Sequence, residues 1–469
     1  MRKIQDKITT PKRSFSIRSG VEAVVSNDIA VRMGSDGQYE AFSTTDDQVF
    51  DDLALLRVNA MSEQSENEDQ ISNELFKSIP GIKHHLVIGY YQDLYAGYVA
   101  EGKYREKASS GGMATWILKE LLEQKKIDGV IHMKKASKKS GKLFEYKLSK
   151  TPEDITAGAK SRYYPGELSG VLKSIKDTKG KYAVVGIPSV IMEVRLLAKH
   201  DPEIGKRVAY TIGLICGHQK SATYAENIAW QSGIKPENLL EIDFRKKIDG
   251  KPANDYITEI VGIVNGKKTT VVKNQSELFG TVWGHGFFKT QFSDYTDDTL
   301  NETADVSLGD AWLEEYIKDS KGNNVVIVRN SDIAKIIKKG IKDKKLQLDI
   351  IDEKTVIKSQ SGLIHHTRDE LPYRLYLRDR RGEWRPIKRL DASNDFTLLR
   401  KLVQRLRMHI SRESHIHYAE ARRRDDWSYF YKKMHPYTRL YDLLYNMIIA
   451  QRIGYGTTVK KLAKKLIKI

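Results

Sequence analysis

Residues 181–215 read KYAVVGIPSVIMEVRLLAKHDPEIGKRVAYTIGLI, and this stretch decides the fold class. Residues 181–187 are apolar after Lys181 and stop at Pro188, the pattern of a short strand buried on both faces. Residues 191–198 place apolar side chains at helical spacing, and residues 208–215 form a second buried run. A strand–helix–strand unit of this length is expected to set two parallel strands in one sheet with the helix as crossover. The alternation extends outward. Residues 85–91 read as a strand, and residues 113–124 as a helix whose inner face carries Met113, Trp116, Ile117, Leu121 and Leu122. Residues 127–133 read as a strand and 168–175 as a helix. Downstream, residues 243–281 read as short strands joined by Gly-containing turns such as Val264-Asn265-Gly266-Lys267, and residues 324–329 as a further strand. The expected fold is therefore α/β: a mixed, largely parallel sheet flanked by helices, with a small β-rich insertion.

The flanks differ in character. Near the N-terminus, strands are expected at 21–25, 29–33 and 39–42, with a turn at Gly34-Ser35-Asp36-Gly37. The polar, acidic stretch 61–70 reads as a linker or exposed loop. Three units follow: 1–65, 66–370 and 371–469. The formal charge of +18 is concentrated in the last of these, since Glu370 to Ile469 hold 24 Lys/Arg against 10 Asp/Glu. No apolar stretch is long enough to cross a bilayer and no apolar segment follows the basic N-terminus, so a cytoplasmic protein is expected. A lone cysteine, Cys216, excludes intrachain disulfides and any iron–sulfur cluster held by four thiolates of this chain. On a buried strand it is more often inert packing than a reactive thiol.

Several strings carry candidate chemistry. Ser109-Ser110-Gly111-Gly112 stands at the mouth of a helix, where small residues admit a ligand to the backbone and first-turn amides favour an anion. The blander account is a serine cap with glycines easing the turn. Gly186-Ile187-Pro188-Ser189 and Leu214-Ile215-Cys216-Gly217-His218 each follow a predicted strand, the position at which ligands collect in α/β sheets. Ser161-Arg162-Tyr163-Tyr164-Pro165 joins a fixed cation to aromatic rings, suited to phosphate contact and ring stacking or, equally, to a surface turn. The run from Asp305 through Asp310 to Trp312 could bring two carboxylates and an indole to one site. Asp294, Asp297, Asp298 and Glu302 lie upstream and read as a solvated acidic loop in preference to a hard-metal site. His84-His85 and His365-His366 are adjacent pairs whose side chains point apart, and no metal site is expected from them.

Taken in order, these strings, with Asp128-Gly129-Val130, Asp243-Phe244-Arg245-Lys246-Lys247 and the run from Ala304 to Trp312, resemble the beta subunits of coenzyme F-420 (deazaflavin)-reducing hydrogenases and dehydrogenases. The resemblance runs from about Tyr95 to Arg329. It implies a bound flavin, FAD or FMN, across the strand ends. Ser109, Ser110, Gly111 and Gly112 would lie near its phosphates, Ser161, Arg162 and Tyr163 beside it, Gly186, Pro188 and Ser189 near the ring, and Asp310 within the cofactor site. Some relatives occur with bacterial polysaccharide genes. The resemblance also exposes a loss. The segment from Arg18 to Met33 looks like a ferredoxin module without ligand cysteines, Ser189 stands where many relatives carry cysteine, and Ser293 and Thr296 occupy a former Cys-x-x-Cys. Hydroxyls do not replace thiolates as cluster ligands. Two functions follow as expectations. One is a flavin-dependent oxidoreductase without iron–sulfur clusters, served by a redox partner or small-molecule electron donor. The other is a decayed scaffold that binds partners. Either is compatible with an oligomer.

The basic C-terminal region reads as amphipathic helices. On a helix, Val459, Leu462, Ala463, Leu466 and Ile467 share one apolar face edged by lysines, which suits an anionic membrane surface and hence the inner face of the plasma membrane. A helical subdomain packed on the body with a solvated basic face accounts for it equally well. No nucleic-acid recognition module is visible, and no nucleic acid is expected as partner.

Overall fold

The computed structural model of the protein describes residues 15–137 and 140–453. Two small hairpins come first, β1 (Ile29–Met33) with β2 (Tyr39–Ser43), and β3 (Lys83–His85) with β4 (Gly89–Tyr91). The main sheet is built from β5 (Asp93–Val99), β6 (Gly129–Lys135), β7 (Phe144–Ser149), β8 (Tyr182–Gly186) and β9 (Val208–Leu214). The chain then leaves for a separate antiparallel sheet of β10 (Leu239–Lys246), β11 (Ile257–Val264) and β12 (Lys267–Asn274), the β-rich insertion. It returns to the main sheet through β13 (Val306–Asp310), β14 (Asn324–Val328) and β15 (Leu346–Ile350). Strand order is β15-β5-β14-β13-β9-β8-β6-β7. The four strands β13, β9, β8 and β6 are parallel to one another, whereas β14, β5 and β15 on one flank and β7 on the other pair antiparallel. The sheet is α/β and mixed, with its parallel part at the centre.

Period-two alternation packs both faces. Val130, Ala183, Val326 and Val328 meet Trp116, Ile117 and Leu121 of helix Met113–Glu123 and Ile333, Ile336 and Ile337 of helix Ser331–Lys342. Their neighbours Ile131 and Val184 turn to the other face, against Leu172, Ile191 and Val194.

Four local expectations are corrected. Residues 22–25 form a helical turn, because Val21 and Val24 are buried at a spacing of three against Leu168 and Leu172. Residues 85–91 are split: Gly89, at φ 72°, turns the chain between β3 and β4, and the strand of the main sheet is β5. The stretch 61–70 is no linker. Met61 is buried with Ile17, Ile71 and Met192, and Asn67 caps helix Glu68–Phe76 through a reciprocal bond with Gln70. The acidic loop is not solvated, since Asp294, Asp297, Asp298 and Glu302 are all buried.

The basic C-terminal region is a helical hairpin, Leu398–Arg424 and Trp427–Ile453. Val403, Ile410, Tyr418 and Phe430 pack with Phe287 and Phe288 of the body in one core. The amphipathic stretch 457–469 lies outside the described residues. Among the described residues no helix is long and apolar enough to cross a membrane.

Candidate functional site

The parallel strands all end on one side of the sheet, and a cleft of about 260 Å³ opens there. Its floor is formed by Met133 of β6, Gly186 of β8, Leu214 of β9 and Leu308 to Asp310 of β13. One wall is the start of helix Met113–Glu123, and another is the loop 158–166.

The helix start is held open by its neighbours. Gly112 has φ 88°, and a side chain at Gly111 would lie 2.6 Å from the Gly97 carbonyl and 2.8 Å from Asn324 Oδ1, so both positions require glycine. A helix leaves its first amides without intrahelical acceptors. Asn324 Oδ1 accepts from the Met113 amide at 3.2 Å, while Ala114 and Thr115, next in that first turn, line the cleft. Ser109 Oγ accepts from the Ser161 amide at 2.9 Å, which leaves its own proton to donate. Ser110 Oγ donates to the Asn323 carbonyl at 2.8 Å and is committed to the fold. Lys247 Nζ donates to the carbonyl oxygens of Arg105 and Ser110 at 2.6 and 2.9 Å. Burial, helped by Lys160 and Arg105, pushes its pKa down to about 7.

The remaining wall is cationic and aromatic. Arg162 lies 4.8 Å over the Phe144 ring and donates to the Ala159 carbonyl, and its buried Nε has no partner among the described residues. Tyr163 packs among Tyr224, Phe244 and Trp283, and burial pushes its phenol well above the usual range. Arg245 holds Asp310 in a two-bond pair at 2.7 and 2.9 Å, so the Asp310 carboxylate serves a buried cation first. His218 stacks on Trp283 with ring centroids 4.2 Å apart, and its Nε2 is buried without a partner among the described residues. Lys220 Nζ lies 4.7 Å over the same indole and donates to the Phe287 carbonyl at 2.6 Å. The lining thus holds four cations, Lys160, Arg162, Lys220 and Arg245, against the single carboxylate Asp310.

A second, smaller cavity adjoins the first. Its lining includes Pro188, Ser189, Cys216, His218, Ser293 and Thr296, and at about 10 Å³ it offers the space of a single water. The three hydroxyl residues that the resemblance reads as former cluster positions therefore converge in space, beside the lone thiol. Ser293 Oγ accepts from the Gln219 amide at 3.1 Å, and burial raises the Cys216 pKa. This donor set of hydroxyls and a protonated thiol does not fit an iron–sulfur cluster. Among the described residues no group of three His, Cys, Asp or Glu side chains is arranged to hold a metal ion.

Of the expected site residues, Ser109, Ser110, Gly112, Ser161, Arg162, Tyr163, Gly186 and Asp310 line the cleft. Gly111 packs behind it against β5 and β14. Pro188 and Ser189 open helix Pro188–His200 and face the smaller cavity. Sequence alone does not single out Lys220, Trp283 or Asn324, and it gives Arg245 and His218 no role of their own. Lys220 follows His218 by two residues, a local signal for its place in the site. Trp283 comes from a distant segment without a motif, and nothing local announces it.

Fold and site together define an α/β protein with a cleft rich in basic and aromatic side chains at the carboxyl ends of its parallel strands. Two family models match, those of the N-terminal and C-terminal parts of the coenzyme F420 hydrogenase/dehydrogenase beta subunit, over residues 94–173 and 179–354 respectively. Together they span more than half of the chain, and the protein belongs to the coenzyme F420 hydrogenase/dehydrogenase beta-subunit family, a family of oxidoreductase type. A coenzyme F420-dependent sulfite reductase of Methanocaldococcus jannaschii is 31% identical over 154 residues, covering 30% of this chain and 24% of that protein. The chain thus matches about a quarter of the length of that relative. A chain of the F420-reducing [NiFe] hydrogenase complex from Methanosarcina barkeri superposes with TM-score 0.48 at 18% identity, over 65% of this chain and 98% of the other.

Proposed function

We propose that the cleft binds a flavin and that the protein is a flavin-dependent oxidoreductase working without iron–sulfur clusters. The observation that carries this reading is the set of donors on residues that line one cavity at the strand ends: the first-turn amides of Ala114 and Thr115, which have no intrahelical acceptor, the Ser109 hydroxyl, and Arg162 Nε, without a partner among the described residues. Such donors suit the phosphate of a nucleotide-like cofactor. The cleft volume of about 260 Å³ lies just below the low end of ligand pockets, about 300 Å³. When bound, a flavin accepts a hydride or two electrons and passes them on. The chain's own residues orient the cofactor. Gly111 and Gly112 hold the backbone close, Lys247 fixes the Ser110 carbonyl, and the Arg245–Asp310 pair stiffens the wall beside Tyr163.

A second reading, a binding subunit that keeps the fold without electron transfer, is favoured by the hydroxyls at 189, 293 and 296 in the smaller cavity. One experiment separates the two. Protein purified from riboflavin-replete cells should show a bound-flavin band near roughly 450 nm that bleaches with a deazaflavin or pyridine-nucleotide donor. A colourless protein that also fails to take up added FMN or FAD leaves only the second reading.

A further inference from the structure

Lys220 carries a buried amine that no carboxylate among the described residues pairs with. It is 2% exposed and lines the cleft. Among the described residues its Nζ makes one hydrogen bond, to the Phe287 carbonyl, and lies over the Trp283 and Tyr224 rings at 4.7 and 5.0 Å. The neighbouring charges are Lys289, already held by Asp294, and Arg407, which donates to the Gly284 carbonyl. Burial and these two cations push the Lys220 pKa well below the usual lysine range. Beside it on the Trp283 ring, His218 keeps an unpartnered, buried Nε2. Burying an ammonium without a counter-ion is costly, and an anion entering the cavity beside the amine and the open ring nitrogen would relieve that cost.

We propose that Lys220 and His218 form an anion-binding position within the cleft, distinct from the helix-start donors, for a small oxyanion, a carboxylate or an equivalent delocalised negative charge. The anion has two candidate sources: the electron-rich ring of the bound flavin, or a separate anionic reactant. The inference rests on the proposed function for its meaning but not for its test.

Inorganic sulfate is the probe, titrated by calorimetry into flavin-free protein with chloride balancing ionic strength. The wild type should bind sulfate at a site that Lys220→Gln and Lys220→Met weaken by roughly ten- to hundredfold, the effect of losing a hydrogen bond to a charged group. Glutamine retains a donor for the Phe287 carbonyl, so one of the two is expected to fold. A wild-type crystal soaked in selenate supplies a second measurement that needs no variant, with an anomalous peak within hydrogen-bonding distance of Lys220 Nζ. Absence of sulfate binding, equal binding by both variants, or selenate only at Ala114 and Thr115 overturns the proposal. Loading with FMN separates the sources: sulfate excluded from the Lys220 site points to the flavin ring, and sulfate retained points to a separate reactant. A protein that takes no flavin yet binds sulfate through Lys220 sinks the flavin reading alone.

Discussion

His132 shows how closely the cleft wall is fitted. It sits on β6 with Nε2 bonded to Ser149 Oγ at 2.9 Å, and a side chain at Gly158 would come within 2.2 Å of its ring. Burial and the nearby Lys134 push its pKa down to about 4. The folded state then binds fewer protons than the unfolded state between pH about 6.5 and about 4. This contribution is complete above that window and is lost as pH falls through it. His132→Asn should flatten the acid limb, with chemical-denaturation midpoints across pH 4–7 (about the window defined above) as the measurement. Equal pH slopes for variant and wild type would show that His132 titrates normally. Residues of this kind are legible in a sequence only where their partners are near. Ser109 to Gly112 stand out because cap, turn and helix are contiguous. The contacts of Lys220 with Phe287 and Trp283 join segments more than sixty residues apart, and no local pattern encodes such a meeting.

At the scale of elements, the loop carrying Asp297, Asp298 and Glu302 is where composition misleads. A run rich in carboxylates reads as solvated, yet Arg389, about ninety residues on, reaches Glu302 through both terminal nitrogens at 2.9 Å, Asp297 at 3.3 Å and Asp69 at 2.7 Å. Glu68 lies 3.6 Å from the same guanidinium. Burial and neighbouring Glu302 push the Asp298 carboxyl up to about 8, so this group enters largely protonated. One arginine thereby joins helix Glu68–Phe76, the acidic loop and the C-terminal region. Arg389→Met leaves buried carboxylates without their cation and should cost about 3–5 kcal/mol, read from urea denaturation. Arg412→Met removes a largely exposed guanidinium, while Glu413 keeps its neighbours His409 and His417, and should stay within about 0.5 kcal/mol. Similar losses in the two variants would mean that the Arg389 network is not a keystone. The elements themselves are largely readable: β8, helix Pro188–His200 and β9 follow from periodicity and Pro188 alone. The misread pieces, residues 22–25 and 85–91, are short, and their state is set by a glycine or by a core supplied from elsewhere.

For the whole molecule, the concentration of charge after residue 370 suggests a basic appendage, and the packing gives that region a different role. Its cations face inward as well as outward. Arg374 donates to the Asp294 carbonyl at 2.6 Å, Arg407 to the Gly284 carbonyl at 2.6 Å, Ser411 Oγ to the Lys289 carbonyl, and Ser414 Oγ accepts from the Phe288 amide. Segment 283–294 is thus held by side chains of the C-terminal helices, and the same segment supplies Trp283 to the cleft and Ser293 to the smaller cavity. Charge counting along a sequence cannot distinguish an arginine that meets solvent from one that caps a carbonyl inside. A chain ending at Glu370 would expose Phe287 and Phe288, now fully buried, and leave those carbonyl groups unpaired. It should lose cooperative thermal unfolding, bind a hydrophobic dye at ambient temperature and lose any flavin affinity. Retention of a sharp transition within about 5 °C of the full chain, a shift of about 4–5 kcal/mol at this size, would instead make residues 371–469 a separable unit. In that case the cleft would owe its shape to the α/β body alone, and flavin binding by the shortened chain would match that of the full protein.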